Sequence, residues 1–271
     1  VMGVLNVTPD SFYDGGRWFD PDMAIRHGLD MVAEGADIVD VGGESTRPGA
    51  AAVDPGQELA RVLPVVEALA PHVRVSIDTR HRVVAEAALA AGADLVNDVS
   101  ATLWPVAAAG GAGWIAMHMR GEPADMATRA RYQDVVAEVT AYLVARAEAA
   151  AAGGVTEIYI DPGIGFAKDA GHNLALLAHL DRMVATGWPV VVGTSRKSFL
   201  GRICPGPGGQ PAPAEDRLEA SLATAAWAMT QGVAVVRAHD VGPTVHAARL
   251  AQGGTSPSGA VAGAPPARGR P

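Results

Sequence analysis

The sequence predicts an α/β fold: one (β/α)8 barrel (a TIM barrel) over residues 1–252, with a tail over 253–271. Three observations predict it. Short, nearly continuous apolar runs alternate eight times with Ala-rich segments of helical period. Such runs fit parallel strands buried on both faces, and the alternation is that of βα units. Nearly every run ends in polar or charged residues, and a barrel gathers all those ends around one mouth. An open doubly wound sheet also alternates, but it would spread them along an edge. Finally, 271 residues, 49% hydrophobic and 18% charged, suffice for one barrel-sized domain with a sizeable core.

The elements follow in order. The expected strands are Met2–Asn6, Asp37–Gly42, Arg74–Asp78, Leu95–Asp98, Trp114–His118, Ile158–Asp161, Val190–Thr194 and Val235–His239. Leu59, Val62, Leu63 and Val66 recur at helical spacing, and Asp54-Pro55 reads as an N-cap with proline at the first helical position. Leu174, Leu177, Leu180 and Val184 predict another helix, and Val241 to Ala251 the last. Pro205–Pro213 reads as a surface loop. Gly253–Pro271 is Gly, Pro, Ala and Ser without a period, so the tail is expected to be disordered.

Composition excludes several classes. With 21 Lys+Arg against 29 Asp+Glu the net charge is −8, which argues against a nucleic-acid or membrane-surface partner. One cysteine, Cys204, excludes a disulfide framework and a multi-Cys zinc site. It suits a cytoplasmic protein. No apolar run reaches the ~18 residues of a membrane span. The chain opens on Val1 inside an apolar run, so residues are expected to precede it.

The chemistry sits at the strand ends. Asn6 leads into a long polar loop through Asp10, Ser11, Phe12 and Asp14 to Gly16. It is longer than the usual ~2–6 residues of a βα connection, which favours a lid or substrate loop. The second strand ends in the glycine-rich stretch from Asp40 through Thr46-Arg47-Pro48 to Gly49, where a diglycine permits close approach of backbone to a ligand. Asp78, Asn97-Asp98 and Asp161 each end a strand. Any one of them reads equally well as a helix N-cap. Together around one mouth they match a heteroaromatic ring that presents several N–H donors. Ser195-Arg196-Lys197 and Arg237-Ala238-His239-Asp240 place cations at the seventh and eighth strand ends, where barrels often bind phosphate. Lys197 in a first helical turn opposes the helix dipole, so a negative partner is expected there. Arg237 and His239 alternate on one strand and share a face.

Eight motifs, in order over nearly all of residues 1–252, resemble the dihydropteroate synthases of folate biosynthesis. They are Met2–Phe12, Asp37–Gly49, Ser76–Thr79, Asn97–Ser100, Met117–Met119, Asp161–Phe166, Ser195–Lys197 and Arg237–Asp240. The resemblance implies a transferase that joins 6-hydroxymethyl-7,8-dihydropterin diphosphate to 4-aminobenzoate, releasing pyrophosphate. It implies that Asp78, Asn97, Asp161 and Lys197 contact the pterin and that Met117 and Phe166 line its pocket. Arg237, His239 and Asn6 would hold the diphosphate, with Mg²⁺ at Asn6. Thr46, Arg47, Pro48 and Ser198 would border the aminobenzoate site, which the mobile loop of Asp10, Ser11, Phe12 and Asp14 completes. Asp78, Asp161, Lys197, Arg237 and His239 are the catalytic candidates. A homodimer and sulfonamide binding are further implications.

The chain departs from the family pattern at a few positions. Ala167 follows Phe166 where glycine is expected, and Ser100-Ala101-Thr102 lacks a diglycine. Ala238 replaces a valine, and Tyr13 stands where serine is common. None removes a named chemical group. The alternatives are a pterin-binding methyltransferase barrel, which needs no diphosphate cations, and an inactive paralogue that only binds, which should have lost Lys197 or Asp78.

Overall fold

The computed structural model of the protein describes residues 1–8, 21–45, 53–122 and 125–255. Eight strands run in parallel: β1 (Met2–Asn6), β2 (Ile38–Gly42), β3 (Arg74–Asp78), β4 (Leu95–Asp98), β5 (Gly113–Met117), β6 (Ile158–Asp161), β7 (Val191–Val192) and β8 (Val235–Ala238). Their order around the sheet is β6-β5-β4-β3-β2-β1-β8-β7. The sheet closes where Ile160 bridges Val190 and its N–H donates to the Pro189 carbonyl at 2.9 Å. Most expected strands are recovered within a residue at each end. β7 is the shortest, two residues of the expected Val190–Thr194.

The helices cover the outside. They are α1 (Pro21–Ala33), α2 (Pro55–Leu69), α3 (Arg82–Ala90), α4 (Trp104–Gly110), α5 (Val135–Ala152), α6 (Ala170–Ala178), α7 (Leu180–Val184), α8 (Ser198–Ile203), α9 (Leu218–Thr230) and α10 (Val241–Thr255). Asp54 caps α2 as expected, accepting from the N–H groups of Gly56 and Gln57, with Pro55 at the first position. Two expectations change. The helix read through Leu174 to Val184 is broken at His179, whose backbone leaves the helical region, and Leu174 is 48% exposed. The face that packs is Asn173, Leu176, Leu177, Leu180 and Met183. The last helix also runs to Thr255, past the boundary placed at residue 252. Residues 205–213 form an exposed loop, pinned where buried Ala212 donates its N–H to the Gly201 carbonyl.

Alternation along the strands decides what faces the lumen. Met2, Ile38, Leu95, Ile115 and Val191, with Tyr159 and Val235 against them, form a plug inside the barrel. The intervening Leu5, Val39, Val41, Ile77, Val96, Trp114, Ala116, Ile160, Val192 and Val236 belong to the separate core under the helices. Counting up two residues at a time from the plug reaches Asp40, Asn97, Met117, Asp161 and Arg237, and four residues from Met2 reaches Asn6. Asp78 has the same parity, opposite to Ile77. One apolar layer thus supports one polar layer at the C-terminal ends of the strands.

Candidate active site

Arg237 organises this polar layer. Its Nε donates to Asp40 Oδ2 at 2.6 Å and its Nη2 to Asp78 Oδ2 at 2.8 Å. The guanidinium lies inside the barrel between two strand-end carboxylates. Burial works against its charge, but Asp40 and Asp78 outweigh that and hold it above its ordinary pKa. Asp78, 13% exposed, is pushed up to about 7 by burial and then by the Asp40 charge, against the pull of Arg237. Asn97 Nδ2 donates to the same Asp40 oxygen at 2.9 Å.

Across the lumen, Asp161 Oδ1 accepts the Gly163 N–H at 2.7 Å. Burial raises the pKa of this carboxylate, while the Gly163 N–H and Lys197 oppose the rise. Lys197 Nζ lies 4.0 Å from the centre of the Phe166 ring. Burial, and next Arg237, lower its pKa to about 8. The negative partners expected for this lysine are Asp161 and Asp78. Met117 is 4% exposed beside them at the end of β5. Ser198, by contrast, is exposed at the start of α8.

His239 follows β8, and its Nδ1 and its backbone N–H both lie within hydrogen-bond distance of Ser195 Oγ, at 3.0 and 3.1 Å. Burial, then Arg237, Arg196 and Lys197, push the imidazole down to about 3, so it acts as a neutral ring. Arg196, one residue along, turns to Asp240 instead, with Nη2 and Oδ1 2.5 Å apart. Asn6 ends β1, the strand that pairs with β8.

The structure separates adjacent polar residues that the sequence leaves equivalent. Asp98 points away from the lumen and takes the N–H groups of Ser100, Thr102 and Leu103 and the Trp114 indole. It is a structural cap. His118 is likewise outside, with Nδ1 3.0 Å from Lys168 Nζ. Lys168, which the sequence reading passed over, donates to the carbonyls of His118, Gly163 and Phe166 at 3.2, 3.0 and 2.9 Å. It ties the loop carrying Phe166 to the end of β5. A lysine directly after a Gly-rich strand-end loop was the available signal. Asp40 was likewise noted only as a strand end. Thr46, Arg47, Pro48, Asp10, Ser11, Phe12 and Asp14 lie outside the described residues.

The donor set bears on a divalent cation. Mg²⁺ retains water and binds chiefly through substrate phosphates, so one carboxamide oxygen at Asn6, on the lumen side beside β8, fits a shared role. Ligand atoms of Glu44, Glu58 and His81 also approach within 4.8 Å. Both Glu44 oxygens already accept from Arg80, at 2.9 and 3.0 Å, and Glu58 Oε2 meets His81 Nδ1 at 2.6 Å. That set is already occupied by its own guanidinium.

A barrel whose mouth gathers buried carboxylates and an amide opposite cations on the last two strand ends has the layout of a barrel enzyme's active site. A family model described as pterin binding enzyme matches residues 2–239. The dihydropteroate synthase of Mycobacterium leprae is 51% identical over 259 residues, which span 92% of this chain and 91% of that protein. The structure of Xanthomonas albilineans dihydropteroate synthase with 4-aminobenzoic acid superposes with a TM-score of 0.87 at 42% identity, covering 94% of this chain and 93% of that one. The same enzyme in complex with 7,8-dihydropteroate gives 0.83 at 39% identity, covering 94% of each chain. The chain belongs to the pterin binding enzyme family and, within it, to the dihydropteroate synthases.

Proposed function

We propose that the protein condenses 6-hydroxymethyl-7,8-dihydropterin diphosphate with 4-aminobenzoate, giving 7,8-dihydropteroate and pyrophosphate. The observation that carries this is the lumen itself. Asp78, Asn97 and Asp161 offer acceptors to the ring, while Lys197, Arg237 and His239 stand on the side of the last two strands. The methyltransferase alternative needs no cations such as Lys197 and Arg237, and the synthase relatives favour the condensation.

The residues act on both sides of one breaking C–O bond. The electron-rich dihydropterin disperses positive charge at its methylene carbon as diphosphate departs. Ionised Asp78 and Asp161 favour that charge, and Arg237 favours the charge leaving. His239 meets the anion as a hydrogen-bonding neutral imidazole, its Nδ1 side occupied by Ser195. Met117 and Phe166 wall the ring. The arylamine is a nucleophile once oriented, so no strong base is required. Asn6 would hold Mg²⁺ jointly with the diphosphate oxygens, and the ion would supply charge neutralisation of the leaving group. Thr46, Arg47, Pro48 and Ser198, with the loop of Asp10 to Asp14, are assigned to the aminobenzoate by likeness alone. A cytoplasmic homodimer inhibited by sulfonamides belongs to the same reading. Among the described residues, no helix is long and apolar enough to cross a membrane.

The test is pyrophosphate release. Purified protein given both substrates and Mg²⁺ should release it with 4-aminobenzoate dependence. Release without incorporation of the arylamine, or none at all, would overturn the reading. Calorimetry adds the order of binding: a sulfonamide should bind tightly only with pterin, pyrophosphate and Mg²⁺ present.

A further inference from the structure

The mouth contains one carboxylate that the condensation does not use. Asp40 sits on β2, two residues above Ile38 of the apolar plug, and is 0% exposed. Its Oδ2 receives Arg237 Nε at 2.6 Å and Asn97 Nδ2 at 2.9 Å. Its Oδ1 is buried without a hydrogen-bond partner among the described residues, and so is Asp78 Oδ1. Both oxygens are sealed from the open mouth, so what Asp40 contributes to the site is the orientation it imposes on its partners.

The geometry has a consequence for Asn97. A carboxamide can turn either its NH₂ group or its oxygen toward the mouth. Asp40 removes that choice. An oxygen already accepting from a guanidinium N–H meets the amide as an acceptor too, so Asn97 must offer its NH₂ group to it. The Asn97 oxygen makes no hydrogen bond among the described residues and is left to accept from a ligand. Arg237 is fixed in the same way. With Nε on Asp40 and Nη2 on Asp78, it bridges the two carboxylates instead of pointing its fork at the ring. The Asn97 oxygen is then the acceptor that this network leaves for the ring.

We propose that Asp40 is a positioning residue that sets ligand specificity: by fixing Asn97 as an acceptor and Arg237 as a bridge, it makes the mouth select a heterocycle rich in N–H donors over one with carbonyl oxygens in their place. This rests on the reading of the mouth as the pterin site. The charged groups around the position are Asp40, Asp78 and Asp161, balanced by Arg237 and Lys197, with Glu58 behind them. Removing the Asp40 charge leaves Asn97 free to turn, and an amide that can turn accepts or donates as the ligand requires.

The experiment is calorimetry with two probes, 6-hydroxymethylpterin and the analogue in which an oxygen replaces its 2-amino group. The parent protein should prefer the amino compound by about a hundredfold or more, as sites built around a hydrogen bond do. In Asp40→Asn that ratio should fall at least about tenfold, the weight of one unmatched buried polar group. The ratio is read within each folded variant, so a general loss of affinity does not imitate the effect. Asn97→Ala removes the acceptor directly and must lower the ratio too, which keeps the test open if Asp40→Asn does not fold. A parent-like ratio in either folded variant overturns the role of Asp40. A parent protein that binds neither ring overturns the pterin reading, and this inference with it.

Discussion

Lys197 Nζ stands 4.0 Å from the centre of the Phe166 ring, so the ammonium after β7 is covered by an aromatic from the β6 loop. Cation–π contacts at desolvated sites contribute about 2 kcal/mol. Phe166→Leu keeps an apolar cover but removes the π face. It should weaken pterin binding roughly tenfold and move the basic limb of its pH profile downward, because the charged amine loses a partner. Calorimetry across pH 6–10, which brackets the Lys197 value of about 8, checks this, and an unchanged basic limb would count against it.

Lys168 holds three backbone carbonyls and the His118 ring from one buried nitrogen. Gly163 comes so close to the His118 carbonyl that an added Cβ would lie 2.0 Å from it. Lys168→Met fills similar space but strands those acceptors. At about 1–3 kcal/mol for a buried unmatched group, a loss of roughly 3 kcal/mol is expected. Urea unfolding measures it, and a midpoint within error of the parent would sink the idea.

Asp78 has a pKa near 7 in the folded chain, against an ordinary value of 3.8. Between those values the folded protein binds more protons than the unfolded one. Stability from this group is therefore present at low pH and falls as pH rises from about 4 to about 7. Asp78→Asn, whose amide oxygen can still accept from Arg237, should flatten that fall, while condensation is lost. Melting curves at several pH values decide it; parallel pH profiles would refute the argument.

Two departures from glycine fall on left-handed backbone. Ala167 has φ +50° and Ala101 has φ +52°. A side chain in that region costs roughly 1–2 kcal/mol, partly offset by the extra unfolded-state freedom of glycine. Ala167→Gly and Ala101→Gly should each raise stability by about 0.5–1 kcal/mol. The Ala167 change should also loosen the constraint on Phe166. Thermal melts showing destabilisation in both would be incompatible with backbone strain.

Much was legible in the order of residues. Eight apolar runs with polar ends gave the barrel, because parallel strands covered on both faces leave that pattern in sequence. Asp54-Pro55 declared the start of α2, because capping is a local interaction. The same local logic could not separate Asn97 from Asp98 or Met117 from His118. Both faces of these strands are buried, so hydropathy carries no sign of which face is the lumen. Closure of the sheet at Ile160 and Val190 set that sign for all eight strands together. It placed Asp40, Asp78, Asn97, Asp161 and Arg237 inside, and sent Asp98 and His118 out to brace the loops. The ion pair between Arg237 and Asp40 spans 197 positions of the chain, and the pKa of Asp78 depends on it. The sequence determined the elements and the kinds of groups at their ends. Only the closed barrel decided which charges share a low-dielectric space, and that sharing produces the chemistry.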